Sequence, residues 1–376
     1  MSQFKSFVIG GFECSDHINR SGRRINMLAE TGHSKYFRQH YEALVEHGIM
    51  TAREGLCWSQ VEKEEGVYDF SGALARMDAA REFGIQLIWD ICHFGYPDGL
   101  FPTHPLFDER FEAICRAFAR FHRAYSSEQL IVIPINEISF LAWHSGDVRG
   151  TVPFAVHSGF DMKYHLCKAA IKGIKALRQG DPWCKILLVE PLIHIHSSHP
   201  DDDDEVTRLN EEQFQALDMI GGYACPELGG QPSNLEMLGF NYYYNNQWFH
   251  NGKIIDWISE RHMLRDLSSL LQKAYLRYGK PLLLSETGHF GSGKDEWVRY
   301  VAAECAEARE MGVELSGICI YPVVDRPDWD DLTSYSNCGM WRRTSDGELE
   351  KDSTYCEVIA ELGALAQRSS MVCSSN

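Results

Sequence analysis

The feature that most constrains the fold of this chain is a regular alternation of short apolar runs with longer segments of helical period. The short runs are rich in Val, Ile and Leu, which is typical of strands buried on both faces. Eight such runs predict strands at residues 7–12, 49–53, 86–92, 130–135, 185–190, 237–243, 281–285 and 317–321. Eight strands is the number that a closed parallel barrel needs.

Amphipathic segments separate these runs and predict helices at residues 36–47, 71–83, 107–125, 164–178, 264–278 and 294–311. A repeat of strand and helix favours parallel strands that are joined by right-handed crossovers. The pattern therefore predicts an α/β chain folded as a single-domain (β/α)8 TIM barrel. Gly10 and Gly11 lack the G-x-G-x-x-G spacing of a dinucleotide-binding open sheet, so that alternative is disfavoured.

The length of 376 residues suits one barrel with loop insertions. We predict one catalytic barrel domain over residues 1–368. The last segment, 369–376, is rich in Ser and predicts a disordered C-terminal tail.

Composition excludes some classes of partner. The formal net charge of −17 argues against nucleic acid, because binding to a phosphate backbone depends on clustered Lys and Arg. The acidic run at residues 201–205 lacks the spaced ligands and the Gly of a calcium loop, so it predicts a solvated loop. Twelve scattered cysteines without a C-x-x-C pair indicate reduced thiols. With no secretory signal pattern and no membrane-spanning apolar stretch, we expect a cytoplasmic protein without a membrane partner.

Two of the predicted strands end in a carboxylate. Glu137 follows the fourth strand and Glu286 follows the seventh. In a parallel barrel the carboxyl ends of all strands open into one cleft, and an ionisable group there needs a partner or a function. Glycoside hydrolysis uses such a pair, because one carboxylic acid protonates the leaving oxygen while the other carboxylate attacks or stabilises the anomeric carbon. For either Glu taken alone, a structural salt bridge at a strand end is the alternative to a catalytic role.

These strand ends resemble the clan A retaining glycosidases, and among them glycoside hydrolase family 1, over residues 7–341. Asn136 and Glu137 are similar to the family's Asn-Glu pair, whose Glu is the general acid/base. The segment S-E-T-G at 285–288 is similar to the family's T-E-N-G, whose Glu is the nucleophile. The resemblance implies these two roles for Glu137 and Glu286.

Two more strand ends fit the same resemblance. The segment R-E-G-L-C-W-S at 53–59 resembles the family's R-F-S-I-S-W-S, which implies that Arg53 lies beside the nucleophile and favours its ionised form. The segment C-H-F-G-Y-P at 92–97 resembles H-W-D-L-P, which implies that His93 binds a sugar hydroxyl. Asn136 is placed to bind hydroxyls near the reacting carbon.

The sixth and eighth strands supply further sugar contacts. The segment G-F-N-Y-Y at 239–243 is similar to G-I-N-Y-Y, which implies that the hydroxyl of Tyr243 orients the nucleophile. The segment Y-P-V-V-D-R-P-D-W at 321–329 lines up with W-S-L-L-D-N-F-E-W and brings Tyr321, Asp328 and Trp329 to the sugar. Trp329 would offer an apolar edge to the ring, and Asp328 would accept hydrogen bonds from its outer hydroxyls.

Some positions depart from the family pattern near the sugar. Glu13 falls where the family carries Gln, Tyr321 replaces a Trp, and Asp328 is one methylene shorter than the usual Glu. Glu13 and Asp328 together would repel an anionic sugar. The resemblance implies a retaining β-glycosidase, related to β-glucosidases and β-galactosidases, that hydrolyses the terminal sugar of a short β-glycoside through a covalent glycosyl-enzyme. A carbohydrate substrate is expected, with no cofactor and no metal.

Three alternatives stay open from the residues themselves. His194 and His196 form a His-x-His pair of the kind that metal-dependent, amidohydrolase-like barrel hydrolases use, although the first strand lacks a matching pair. A transglycosidase would use the same covalent intermediate with a sugar hydroxyl as the acceptor. A non-catalytic sugar-binding barrel would keep the aromatic edges but would not need both Glu137 and Glu286.

Overall fold

The chain folds into a closed barrel of parallel strands, in which each strand pairs with its neighbours along the chain and the last pairs with the first. The computed structural model describes residues 3–344 and 346–373, with side chains up to residue 363. The barrel strands are β1 (Val8–Gly11), β2 (Thr51–Gly55), β3 (Gln86–Cys92), β4 (Ile131–Ile135), β5 (Lys185–Pro191), β6 (Met237–Asn241), β7 (Leu282–Thr287) and β8 (Leu315–Ile320). The prediction of a (β/α)8 TIM barrel is confirmed.

Helices follow the strands and cover the outside of the barrel. They are α1 (His33–Glu46), α2 (Ser71–Phe83), α3 (Phe107–Tyr125), α4 (Gly159–Gly180), α5 (Gln215–Gly221), α6 (Leu267–Tyr278), α7 (Lys294–Glu310) and α8 (Ser353–Cys373). A further helix, Ile138–Gly146, begins directly after β4 and was not predicted. Two-residue and three-residue strands form small ribbons in the loops: Glu62–Glu64 with Val67–Tyr68, His194–His196 with Gln247–Phe249, and Trp341–Arg343 with Leu349–Lys351.

The acidic run at residues 201–205 is not a solvated loop, so that prediction is wrong. Its first part forms a short 3-10 turn, Pro200–Asp202, and its second part begins the helix Asp203–Glu212. Asp203, Asp204 and Glu205 occupy the first helical turn. Negative side chains are favourable there because the unpaired backbone N–H groups give the helix N-terminus a partial positive charge.

The barrel strands separate two apolar cores because successive side chains of a strand point to opposite faces. The inner core fills the barrel and includes Ile9, Ile88, Ile133, Leu187 and Leu283. The outer core lies between the strands and the helices. Towards the carboxyl ends of the strands, the inward positions change from apolar to polar. The polar end of the barrel is therefore where the fold leaves room for chemistry.

The extent of the barrel domain, 1–368, and the disordered tail, 369–376, stay predictions. Helix α8 runs from Ser353 to Cys373 across that boundary, and residues 374–376 lie outside the described part of the chain. No helix in residues 3–344 or 346–373 combines the length and apolar character needed to cross a membrane. The cysteines whose side chains are described are free thiols.

Candidate active site

Arg53, in the middle of β2, contacts the ends of β4 and β7 at the centre of the barrel. The side chain is 1% exposed, so its charge has to be met by protein groups. Its Nη1 donates to Oε1 of Glu286 at 2.7 Å and to the carbonyl oxygen of Ser285 at 2.9 Å. Its Nη2 donates to Oδ1 of Asn136 at 2.8 Å. The structure therefore places Arg53 beside Glu286, as the sequence predicts.

Asp90 supplies a second carboxylate that pairs with Arg53, and it was not predicted from the sequence. Oδ2 of Asp90 accepts from Nη2 of Arg53 at 2.7 Å, and both oxygens lie within 3.2 Å of Nε. Burial raises the pKa of Asp90, but the charges and hydrogen bonds of Arg53 and His93 together outweigh burial, so the pKa is lowered overall. The available signal was an acidic residue within the apolar run of β3, which is the same kind of signal that singled out the catalytic candidates.

Glu286, at the end of β7, has both carboxylate oxygens engaged. Oε1 accepts from Arg53, and Oε2 accepts the hydroxyl proton of Tyr243 at 2.7 Å. Burial, followed by the negative charge of Glu286, raises the pKa of the Tyr243 hydroxyl well above its ordinary value, so it stays a donor. The two contacts fix the position of the Glu286 carboxylate, which suits an attacking group.

Glu137 lies at the junction between β4 and the Ile138–Gly146 helix. Its backbone is in the left-handed region, with φ of 46° and ψ of 63°, a conformation that costs a residue with a side chain roughly 1–3 kcal/mol. Burial raises its pKa well above the ordinary value, and the negative charge of Glu286 adds to this, while a hydrogen bond from Asn241 opposes it. A carboxyl group in this environment holds a proton that it can donate.

Polar side chains from neighbouring strands connect the two glutamates. Asn136 accepts from Arg53 and, at 3.4 Å, from the side-chain amide of Asn241. Oδ1 of Asn241 accepts the hydroxyl proton of Ser285 at 2.7 Å, and Asn241 pairs in register with Glu286 across β6 and β7. Asn136 and both glutamates therefore belong to one constellation at the carboxyl ends of β4, β6 and β7.

His93, which follows β3, faces the same constellation. Nδ1 shares a hydrogen bond with Oδ2 of Asp90 at 2.8 Å, and Nε2 lies 3.4 Å from the hydroxyl of Tyr321 and from the side-chain nitrogen of Asn136. The rings of His93 and Tyr321 stack at 5.7 Å with an angle of 5° between their planes. Burial lowers the pKa of His93, but the hydrogen bond and charge of Asp90, with the charges of Glu286 and Glu13, outweigh burial, so the pKa is raised overall.

Glu13, after β1, is held by an ion pair that was not predicted. Its Oε2 lies 3.3 Å from Nε of Arg326, and its Oε1 accepts from the amide and the hydroxyl of Ser15 at 3.0 and 2.5 Å. Burial raises the pKa of Glu13, but the charges of Arg326 and His93 and the Ser15 hydrogen bonds together lower it below the ordinary value. The predicted repulsion of an anionic sugar by Glu13 is weakened because Arg326 neutralises its charge.

Trp329 and Asp328 both follow β8, but Trp329 is partly buried whereas Asp328 is exposed. The Trp329 ring packs on an aromatic cluster, with ring centres 4.9 Å from His17 and 5.7 Å from Phe94, and Arg326 lies over it at 5.5 Å. Asp328 is exposed, and its Oδ1 accepts the amides of two following residues at 2.8 and 3.2 Å. The structure thus brings Trp329 to the Glu13–Arg326 pair, whereas the described contacts of Asp328 are within its own turn.

One set of three candidate metal ligands lies within reach of a single ion in the described part of the chain, namely Cys14, Asp90 and His93. Oδ2 of Asp90 already accepts from both Arg53 and His93. Burial raises the pKa of the Cys14 thiol well above its ordinary value, which disfavours the thiolate that a metal binds. The donor set fits a hydrogen-bonded ion-pair network better than a metal ion.

His194 and His196 lie in a short strand beyond β5, with their rings 4.5 Å apart. Nε2 of His196 shares a hydrogen bond with Oε1 of Gln247 at 2.9 Å, and burial lowers the pKa of His194 to about 4. Within the described residues, no third His, Cys, Asp or Glu completes a ligand set with them. This placement gives no support to the metal-dependent alternative.

Solved structures with a similar fold include family 1 β-glucosidases. A family 1 β-glucosidase from Thermotoga maritima matches with a TM-score of 0.73 at 16% identity, over 96% of this chain and 99% of that chain. Its complex with isofagomine lactam gives 0.71 at 16% identity over 89% and 88%. A β-glucosidase from Thermotoga maritima with deoxynojirimycin gives 0.70 at 17% identity over 89% and 88%. The family 1-like fold expected within clan A is therefore confirmed.

Over the whole chain, this likeness is one of fold and not of overall sequence. No protein-family model matches this chain, and no curated protein sequence matches it. The chain thus shares the barrel fold of the β-glucosidases at 16–17% identity.

Proposed function

We propose that this chain is a glycoside hydrolase that acts on the terminal sugar of a short β-glycoside by double displacement with retention. The observation that carries the proposal is the unequal environment of two neighbouring glutamates. Glu286 accepts from Arg53 and Tyr243 at 2.7 Å each, whereas burial and the charge of Glu286 raise the pKa of Glu137 well above its ordinary value. One group is suited to attack and the other to protonate.

In the first step, Glu286 attacks the anomeric carbon and forms a glycosyl ester. Arg53 and Tyr243 hold the carboxylate so that an oxygen can approach the carbon in a fixed direction. Glu137 donates its proton to the leaving oxygen as the glycosidic bond breaks. Asn136 and His93, at the same strand ends, are available to bind hydroxyls next to the reacting carbon.

In the second step, Glu137 removes a proton from water, which attacks the anomeric carbon and releases Glu286. The charge of Glu286 is one cause of the raised pKa of Glu137, and the ester removes that charge. The pKa of Glu137 therefore falls in the intermediate, and the residue changes from acid to base when the chemistry requires it. A sugar hydroxyl in place of water would give transglycosylation, which product analysis at high acceptor concentration measures.

The outer part of the sugar site is built by Glu13, Arg326 and Trp329. The ion pair offers an acceptor and donors to sugar hydroxyls, and the Trp ring offers an apolar face. Because the solved relatives are β-glucosidases, β-glucosides and β-galactosides are the first substrates to examine.

A panel of aryl β-glycosides, followed by proton NMR of the first sugar released, tests this proposal. We expect turnover of at least one β-glycoside with the β-anomer appearing first and the α-anomer growing in later by mutarotation. Appearance of the α-anomer first would show inversion and would remove the covalent step. Absence of turnover on every sugar of the panel would contradict the proposed activity.

A further inference from the structure

We propose that Glu190 is a positioning residue that holds, from outside the barrel wall, the turn carrying Glu137. The inference rests on the function proposed above, in which Glu137 is the general acid/base. Glu190 ends the apolar part of β5 and is 2% exposed. It does not belong to the groups of the proposed sugar site.

The alternation of side chains along β5 explains where Glu190 points. Leu187 and Val189 belong to the core inside the barrel, and Ile186 and Leu188 belong to the core outside it. Glu190 continues the outer set. Its carboxylate therefore lies behind the barrel wall, against the helix that begins directly after Glu137.

The contacts of Glu190 are with the backbone of that helix. Its Oε2 and Oε1 accept the amide of Ser139 at 3.1 and 3.4 Å, and the carboxylate also accepts from the amide of Ile138. One residue earlier, the amide of Glu137 donates to the carbonyl oxygen of Val189 at 2.9 Å. The end of β5 thus holds three consecutive amides, and a negative charge at a helix N-terminus is favourable.

The turn at Glu137 needs such a restraint. Glu137 has φ of 46°, and its own side chain does not cap the helix. A left-handed conformation at a residue with a side chain persists where its surroundings determine it. Because the Glu137 side chain has to face the leaving oxygen, loss of the restraint at Ser139 would misplace the acid without removing it.

The charges around Glu190 also link it to Glu137. Burial raises the pKa of Glu190 to about 7, while the charge of Lys163 on α4 and the hydrogen bond from the amide of Ser139 oppose this. The Cys167 thiol on α4 also faces the carboxylate, and Phe240, its partner in register on β6, is uncharged. The negative charge of Glu190 adds to burial and to Glu286 in raising the pKa of Glu137.

Glu190→Ala and Glu190→Gln, compared on two aryl β-glycosides, test the inference. Dinitrophenolate leaves with little protonation, whereas the phenyl leaving group needs a proton from Glu137 as the glycosidic bond breaks. We expect Glu190→Ala to lower kcat/KM by about 100-fold for the phenyl substrate and by less than about 10-fold for the dinitrophenyl substrate. Azide should speed turnover of the dinitrophenyl substrate by this variant and give a β-glycosyl azide.

Glu190→Gln keeps an oxygen that can accept from Ser139 but removes the negative charge. This variant should recover most of the activity on the phenyl substrate. In its pH profile of kcat/KM, the alkaline limb should move to lower pH, because the charge of Glu190 no longer raises the pKa of Glu137. Glu62→Gln is the matched control, because Glu62 is also 2% exposed and accepts a backbone amide, that of Gly66 at 2.9 Å, away from both glutamates. It should leave the ratio between the two substrates unchanged.

Several outcomes overturn the inference. One is an equal loss on both substrates in Glu190→Ala, and another is no loss on either. If Glu190→Ala does not fold, the pH profile of Glu190→Gln decides, and an alkaline limb at the wild-type position overturns the inference. A wild-type protein that turns over no glycoside would instead defeat the proposed function itself, so the two failures are distinguishable.

Discussion

At the scale of single residues, the site is organised by buried charges that are shared between partners. Arg53 meets both Asp90 and Glu286, and Arg326 meets Glu13. A buried charge is strongly unfavourable when its partner is removed. Substitution of one of these side chains should therefore affect its partner.

Removing the carboxylate of Glu286 should abolish turnover while leaving the site open. We expect kcat of Glu286→Ala to fall on the order of 10⁵-fold or more, because no group remains to attack the anomeric carbon. Azide should restore part of the turnover of an activated aryl β-glycoside and give an α-glycosyl azide, identified by NMR. A fully active Glu286→Ala protein would contradict the assigned role.

Breaking the Glu13–Arg326 pair should be costly because Glu13 is buried. We expect Arg326→Met to lower the free energy of unfolding by about 2–3 kcal/mol, somewhat below the range for a fully buried pair, since the Arg326 side chain is 25% exposed. Urea unfolding at pH 7 measures this.

The control for this pair is the double variant Glu13→Gln with Arg326→Met. It removes the unpaired charge and should recover part of the lost stability. A double variant no more stable than Arg326→Met would show that the charge of Glu13 is not the cause.

At the scale of the strand and helix, most of the barrel could be predicted because local sequence determines it. The apolar run of β3 is complete at residues 86–92, and helices α2 and α3 begin and end where their periodicity does. The Ile138–Gly146 helix was missed because it is apolar on nearly every side and shows no helical alternation. The acidic helix at Asp203–Glu212 was missed because its first turn consists of consecutive acidic residues, which are typical of a solvated loop.

The site was predictable where a strand end carries the functional group, and less so where a partner comes from a loop. The ends of the barrel strands meet whatever the loops do, and four of the predicted residues lie in these strands or within two residues of their ends: Glu137, Glu286, Arg53 and Tyr243. The partner of Glu13 depends on the path of the loop after β8, which local sequence does not determine. Glu190 carried the same signal as Glu137, an acidic residue that ends an apolar strand, but its outward direction becomes visible only in the structure.

Close packing of β1 against the residue after β8 gives a prediction at this scale. A Cβ added at Gly11 would lie 2.3 Å from Cδ2 of Tyr321 and 3.0 Å from Sγ of Cys319, so the Tyr ring would have to move off His93. We expect Gly11→Ala to lower stability by about 1–3 kcal/mol and to raise KM for the glycoside.

The matched control is Gly72→Ala in helix α2, where nothing lies within 4 Å of the added Cβ. It should leave both stability and KM near the wild-type values. Thermal unfolding and steady-state kinetics compare the two variants, and an unchanged KM in Gly11→Ala would contradict the close contact with Tyr321.

At the scale of the whole molecule, buried ionisable groups should make stability depend on pH. Burial lowers the pKa of His17 to about 3, of His40 to about 2, and of His144 and His194 to about 4. In the unfolded chain these histidines titrate near the ordinary value of about 6.5. The unfolded state therefore binds more protons below that pH, and the stability present above it is lost as the pH falls.

Glu190 acts in the opposite direction. Its folded pKa of about 7 lies above its unfolded value, so it contributes stability at low pH that is lost as the pH rises towards neutrality. The raised pKa values of Glu137 and His93 act in the same direction as that of Glu190. Because the four histidines named above, with their lowered pKa values, outnumber these three groups, we expect the free energy of unfolding to fall by more than about 2 kcal/mol between pH 7 and pH 5. Urea unfolding at several pH values tests this, and greater stability at pH 5 than at pH 7 would contradict it.

Trapping the covalent intermediate is the most direct measurement of the proposed chemistry. The wild-type protein is incubated with a dinitrophenyl 2-deoxy-2-fluoro-β-glycoside of its preferred sugar, digested, and analysed by mass spectrometry. The fluorine slows the second step more than the first, so the sugar should remain attached to the peptide that contains Glu286. A label on another residue, or an unlabelled protein that still turns over the parent glycoside, would contradict the role of Glu286 as nucleophile.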